Sequence, residues 1–338
     1  MPGRRIRQLH FSLDGRYVLA QDDSGITVLT VRPFAVSFRI PAENITYSGF
    51  TPDSQQVLCL SFRIWVPAPP AIVAGPNEHL ERWSVAARAR VESVEIPWTA
   101  CGSWGLSPDG RFLACLDSNG TLSFVDVASS ATIFRKKTFN DYVDIPDLFG
   151  NYHSTGDLGS AEIDFSPDGR VVLALPVNAF GFALAWDLQQ RRQVSLPLRL
   201  KTRLPAMEFA FIAADRLLIS RSTFVRRTVT ATLVAFPSGK VLSKPILPQG
   251  PIYRAAGPNF VIVRPFGVAS PAELVSNSPK RSAAVEIRTG QMIVCDTPAL
   301  DVFGQYYAAE RTDGELGLYE RGKGLQASVM ITEKPPAR

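Results

Sequence analysis

One unit recurs along this chain and dictates what it can fold into: an aromatic residue or leucine, a hydroxyl residue, an Asp-Gly turn, then a short apolar run. The three clear copies are Phe11-Ser-Leu-Asp-Gly-Arg, Leu106-Ser-Pro-Asp-Gly-Arg and Phe165-Ser-Pro-Asp-Gly-Arg, and Phe50-Thr-Pro-Asp-Ser is a fourth with Ser54 in place of glycine. Such a unit is a hairpin. Proline presets φ, aspartate bonds its own backbone, and glycine takes a positive φ without strain. The apolar, β-branched residues on either side supply the strands.

A second column follows each hairpin. Leu29, Trp83, Val125, Trp186, Val234, Val285 and Tyr319 hold one aligned large apolar position, and the residue after each is usually small or acidic. Seven copies result, spaced 54, 42, 61, 48, 51 and 34 residues apart. Spacings near 40–50 residues are those of four-stranded propeller blades, about 40–45 in WD40 units and about 50 in kelch units. In the third unit the strands are expected near 101–107, 111–117, 121–127 and 131–136. A lone four-stranded sheet cannot bury both faces, so such units must stack. The expectation is an all-β chain forming one seven-bladed β-propeller domain over residues 1–338, with four antiparallel strands per blade. Its blades are placed near 5–40, 44–96, 100–136, 160–198, 205–247, 251–295 and 299–332. The aligned column then fills the space between neighbouring blades.

The Ser-Pro-Asp-Gly-Arg hairpins, with a strand ending in Trp186-Asp187, resemble the WD40 and WD40-like bacterial propeller superfamily. The resemblance runs through the whole chain, strongly in units 1 to 4 and weakly in units 5 to 7. It implies the fold and leaves the function open. The Gly-His dipeptide of typical WD40 repeats is absent and the Trp-Asp pair occurs once, so the His-Asp network of that family is not carried over. TolB-like and quinoprotein-like propellers remain alternatives. Unit 1 opens directly on an inner strand near Ile6 to Ser12, and unit 7 holds four strands of its own. The count therefore predicts closure by packing rather than by a blade shared between termini, or a start upstream of Met1.

Composition excludes less than the repeat does. A net charge of +5, with no block of five like charges, is compatible with an acidic partner without demanding one. Cys59, Cys101, Cys115 and Cys295 form no CxxC pair and are expected as buried thiols, although Cys101 and Cys115 flank one hairpin. The uncharged stretch from Val171 to Trp186 is too short to cross a membrane. No apolar segment follows the basic N-terminus, so the chain reads as cytoplasmic, or as periplasmic or secreted if its start lies upstream.

Function is read from the connections. In a blade the links between strands one and two, and between three and four, lie at one end; the other end carries the 2–3 loops and the interblade links. Every long insertion falls at that other end: 62–79, 136–159 and 263–281. Long loops are disproportionately functional, although neutral drift also lengthens them. Trp65 sits in an apolar, Pro-rich loop, as a partner anchor or as packing. Ser270 to Glu273 fits a capping box for a short helix near 271–276. His79 and His153 belong to the insertions, but no ligand spacing supports a metal site, and no cofactor motif or nucleophile elbow occurs. Arg221, Arg226 and Arg227 flank Phe224 in the blade 5 loop, and Arg264, Lys280 and Arg281 belong to the blade 6 loop. Guanidinium groups suit carboxylates or phosphates. The reading is a non-catalytic binding or scaffold protein without cofactor, recognising a protein or peptide partner through an acidic segment. Nucleic acid is disfavoured, because its binders carry a stronger basic footprint. The alternative is a lactonase-like or quinoprotein-like propeller enzyme with its site at the same end.

Overall fold

The computed structural model describes residues 6–62, 78–96, 101–117, 121–137, 145–146, 152–153, 161–176, 184–196, 207–221, 228–248, 252–256, 259–263, 282–289, 291–295, 300–312 and 315–331. They form seven four-stranded antiparallel sheets in chain order, a seven-bladed β-propeller, with two further two-stranded pairs. Blade 1 comprises Gln8–Phe11, Tyr17–Asp22, Gly25–Thr30 and Ala35–Pro41; blade 2, Ile45–Phe50, Gln56–Phe62, Glu78–Ser84 and Ala89–Ile96. Blade 3 comprises Cys101–Leu106, Phe112–Asp117, Thr121–Asp126 and Ala131–Lys137; blade 4, Ala161–Phe165, Val171–Pro176, Leu184–Asp187 and Arg192–Val194. Blade 5 comprises Met207–Ala213, Arg216–Arg221, Thr232–Ala235 and Val241–Ser243; blade 6, Ile252–Ala256, Phe260–Val263, Ser282–Glu286 and Met292–Cys295; blade 7, Leu300–Phe303, Tyr306–Thr312, Glu315–Glu320 and Gly324–Met330. Two compact units are present. One is Met1–Ser93 with Ser222–Ala231 and Lys244–Arg338, and the other is Val94–Arg221 with Thr232–Ser243.

The recurring hairpin is the same hydrogen-bonded device each time. Ser12 Oγ donates to Asp14 and accepts the Tyr17 N–H, while the Gly15 N–H returns to the Ser12 carbonyl. Thr51 and Asp53, Ser107 and Asp109, and Ser166 and Asp168 repeat the hydroxyl-to-carboxylate bond at 2.6, 2.6 and 2.5 Å. Gly15, Gly110 and Gly169 take φ of 70°, 67° and 69°, as the turn requires, and Ser54 is held at 59° in the copy that lacks glycine. Gly15 has a second reason to lack a side chain: a Cβ there would fall inside the Phe303 ring of blade 7.

In six of the seven copies the residue after the aligned column is acidic or hydroxylic, Ala235 being the exception, and in blades 3 and 4 it caps the turn between strands three and four. Asp187 accepts the Gln190 N–H at 2.8 Å and Asp126 the Ser129 N–H at 3.1 Å. Each also pairs with the arginine of its own hairpin, Arg170 at 3.0 Å and Arg111 at 3.6 Å. Burial alone would raise the Asp187 carboxyl, but the Gln190 N–H and Arg170 together hold it below the usual carboxylate range.

The column itself keeps one register in all seven blades. Its members pair with Val18, Val57, Leu113, Val172, Leu217, Val261 and Tyr307 of the second strands. Leu29, Val234 and Val285 are buried; Trp83, Val125, Trp186 and Tyr319 are half-buried. Trp186 of blade 4 lies against Phe134 of blade 3, with ring centroids 4.0 Å apart. The second strands read as unbroken apolar runs because both faces are covered. Val172 and Ala174 face a cluster shared with blade 3, whereas Val171 and Leu173 face one shared with blade 5. Blades 7 and 1 each supply four strands of their own and join through Ile6, Leu9, Val18 and Leu29 against Ala308, Leu316 and Leu318. That junction joins two complete blades, as the strand count predicts, and adds to the packing hydrogen bonds from Phe11 N–H to Asp301 and from Ile6 N–H to Glu310.

In unit 5 the third strand is Thr232–Ala235, and the preceding Thr228–Thr230 pairs with Ile246–Pro248. One expectation changes. The cysteines are not all thiols: Cys115 is disulfide-bonded, while Cys59 and Cys295 are free. The Cys59 thiol is pushed up to about 12 by burial, with the Glu81 charge adding to it, which makes it an inert core residue. The expected helix near 271–276 lies outside the described residues.

Two substitutions test this frame by chemical denaturation. Gly169→Val is expected to cost about 1–2 kcal/mol through φ alone, since its Cβ would meet only Asp109 atoms at 3.7 Å or beyond. A neutral result would overturn the turn assignment. Trp186→Ala is expected to cost about 3 kcal/mol by opening the space against Phe124 and Phe134, and a loss below about 1 kcal/mol would deny the column its packing role.

Candidate functional site

The long connections join strands two and three or link successive blades. In blade 2, Phe62 pairs with Glu78, so 63–77 bridges adjacent strand ends. In blade 6, Val263 pairs with Ala283, so 264–281 does the same. The link between blades 3 and 4 carries a small hairpin, Ile145–Pro146 paired with Tyr152–His153. By contrast, hairpins such as 12–17 and 107–112 close in a few hydrogen-bonded residues.

The sequence-expected residues distribute as follows. Arg221 ends the second strand of blade 5, opposite Met207. His79 is not a loop residue: it lies in the third strand of blade 2, opposite Ser61, and is half-buried. His153 pairs with Ile145 in the small hairpin. Trp65, Phe224, Arg226, Arg227, Arg264, Lys280 and Arg281 lie outside the described residues. Among the described residues, no group of three or more His, Cys, Asp or Glu is placed to hold a metal ion.

Two carboxylates that sequence reading passed over have a defined structural task. Asp164 on the first strand of blade 4 accepts the Phe211 N–H of blade 5 at 3.0 Å. Asp301 on the first strand of blade 7 accepts the Phe11 N–H of blade 1 at 2.6 Å and the Val302 N–H at 2.8 Å. The two aspartates occupy one register, each preceding the residue opposite the second-strand partner of the column. The first strand of a blade is a sheet edge, and its outward N–H groups need acceptors. Burial raises the Asp164 carboxyl to about 6, against the lowering by the Phe211 and Phe165 N–H groups. Its acceptor capacity is committed to backbone, which makes it a fastener between blades. The signal for it was an acid inside an apolar strand, Glu162-Ile-Asp-Phe165 and Leu300-Asp-Val-Phe303.

No protein-family profile and no curated protein matches the chain. Among solved structures it is similar to Kuenenia stuttgartiensis hydrazine synthase at 12% identity and a TM-score of 0.56, over 96% of this chain and 97% of that one. It is also similar to the beta-propeller domain of Cps50 (Swd1) from Myceliophteria thermophila at 12% identity and a TM-score of 0.54, over 98% of each chain. Likeness at this identity is likeness of fold.

The Asp164 carboxyl gives a pH test. Its folded value near 6 lies above the ordinary 3.8, so ionisation opposes folding. The stability it contributes as a neutral acid is fully present below about pH 4 and is lost as pH rises through 6, by at most about 3 kcal/mol. Asp164→Asn keeps an acceptor for Phe211 and removes the charge. Between pH 4 and 7, its stability curve should gain on the wild type by up to that amount in urea titrations. Parallel curves would refute the assignment.

Proposed function

We propose that this chain is a non-catalytic β-propeller that recognises a protein or peptide partner through the blade ends bearing its long connections. The observation that carries the reading is the asymmetry within the blades. Hairpins at one end are short and repeat one hydrogen-bonded turn, whereas 63–77 and 264–281 span adjacent strand ends that a few residues would join. Rigid scaffolds that extend loops at one end commonly use them to bind. The cationic composition of these connections supports an acidic partner segment: Arg221, Arg226 and Arg227 surround Phe224, and Arg264, Lys280 and Arg281 belong to the blade 6 connection. Trp65 supplies an apolar anchor of the type enriched in interfaces. The disulfide at Cys115 supports a periplasmic or secreted setting over the cytoplasm, where thiols stay reduced.

The triple charge reversal Arg226→Glu, Arg227→Glu, Arg281→Glu tests the reading by affinity capture at 50 and 300 mM salt. The wild type is expected to retain discrete partners whose yield falls at the higher salt, and the variant is expected to lose them at both. Capture that is indifferent to both salt and charge reversal would remove the electrostatic basis of the proposal.

A further inference from the structure

At the opposite, short-turn end, blades 7 and 1 leave a cavity of about 410 Å³ lined by Gly15, Arg16, Tyr17, Arg32, Phe303 and Tyr306 among others. Its volume falls in the range of sites that hold small groups. Phe303 forms part of the lining, packed on Phe11 with ring centroids 6.0 Å apart and close over Gly15. Tyr17 and Tyr306 are half-buried, and both arginines are exposed.

The charges around the cavity do not cancel. Arg16 is paired with Asp14 at 2.6 Å, and Glu320, opposite Tyr306 in the sheet, is paired with Lys323 at 2.8 Å. Arg32 has no carboxylate partner among the described residues. Its guanidinium stands 5.2 Å from the Tyr306 ring centroid and donates to the Tyr306 hydroxyl. That hydroxyl also accepts from Gln305 Nε2 at 3.1 Å. An oxygen that accepts from two N–H groups has its own proton left to give. The cavity therefore presents an unneutralised guanidinium and a phenol O–H together, above an aromatic surface. This donor set recognises an oxyanion, and the rings around it recognise an apolar body attached to that oxyanion.

We propose that this cavity is a second binding site, independent of the long connections, and that it takes an acidic peptide segment in which Asp or Glu adjoins an aromatic residue. The carboxylate sits on Arg32 and the Tyr306 O–H, and the neighbouring ring lies against Phe303 and Tyr17. A peptide fits better than a small free acid. The cavity is open, its guanidiniums are exposed, and Leu13, 50% exposed at the adjoining hairpin tip, offers an apolar contact only to a ligand that extends beyond the cavity.

The test uses the full chain on an array of decapeptides in which Asp-Phe, Glu-Phe and Glu-Tyr pairs are matched with their Asn-Phe, Gln-Phe and Gln-Tyr counterparts. Hits are followed by fluorescence anisotropy. The wild type is expected to select the acidic members, and Arg32→Gln to weaken them about tenfold or more. Tyr306→Phe is expected to weaken them several-fold while leaving the ring in place. Arg32 is exposed and Tyr306→Phe keeps the half-buried ring, and unchanged thermal denaturation confirms that each variant folds. No preference for acidic members, or a preference that survives Arg32→Gln, overturns the site. Equal affinity for free 3-phenylpropionate overturns the peptide assignment. The Arg226, Arg227 and Arg281 reversal is carried in parallel and should bind the array as wild type does; loss there would overturn the independence of the two sites.

Discussion

A four-stranded antiparallel sheet with two apolar faces cannot stand alone in water, and every blade of this protein depends on the cover its neighbours give. The major apolar clusters each draw on two consecutive blades: 7 with 1, 1 with 2, 3 with 4, 4 with 5, and 6 with 7. Alternation along the second strands accomplishes this, sending successive side chains to opposite neighbours. With each fully buried Leu, Val or Phe contributing about 1.5–3 kcal/mol, the stability of a blade resides largely in its junctions. The column residues Leu29, Trp83, Trp186, Val234 and Tyr319 each pack at one of these junctions, which is why the position stays large and apolar.

Apolar packing does not by itself fix how far one sheet slides along the next. The first strands supply that constraint. Asp164 and Asp301 each reach a single N–H on the following blade, and Glu310, on the second strand of blade 7, adds a bond from the Ile6 N–H at 3.0 Å. In blade 3 the same register holds Gly105, where a Cβ would meet Ile163 Cγ2 of blade 4 at 3.0 Å. At this position blades 4 and 7 use a carboxylate that bridges to the next blade, whereas blade 3 uses a glycine that admits a close approach. The carboxylate is the costlier solution, since burial raises Asp164 to about 6.

What was legible in the sequence follows from distance along the chain. The Ser-Pro-Asp-Gly turn is made by bonds spanning two to five residues, so Ser107 and Asp109 announce it locally. The column was legible because repetition exposes what a single copy hides. Asp164 was not, because its meaning depends on Phe211, which lies in the next blade. The pairing of Thr228–Thr230 with Ile246–Pro248 depends likewise on a partner beyond the blade strands. The Arg32–Tyr306 contact is more remote still, 274 residues apart. Of the expected binding residues, Arg221 and His79 stand where strands meet loops. His79 was misplaced because the strand starts at Glu78, two residues after Pro76 closes the Pro-rich stretch, and the polar Glu78-His79 pair gives no local sign of it.

The two ends of a blade consequently have different capacities for recognition. At the short-turn end the backbone is already fixed: Ser12, Asp14, Gly15 and Tyr17 are tied by four bonds, and Thr30 Oγ1 donates to the Pro33 carbonyl. A ligand there meets donors whose ordering cost was met during folding, so a small contact can be selective. Such an end changes little in shape, because each turn residue also braces a neighbour, as Gly15 does for Phe303 and as Ser54 Oγ does in accepting the Asp14 N–H at 3.3 Å. The long connections do not repeat the Ser-Pro-Asp-Gly sequence, and length added there leaves the junctions undisturbed. Stacking sheets by their faces spends those faces on stability and leaves the ends for partners, and the cavity that blades 7 and 1 leave at the short-turn end is one such place.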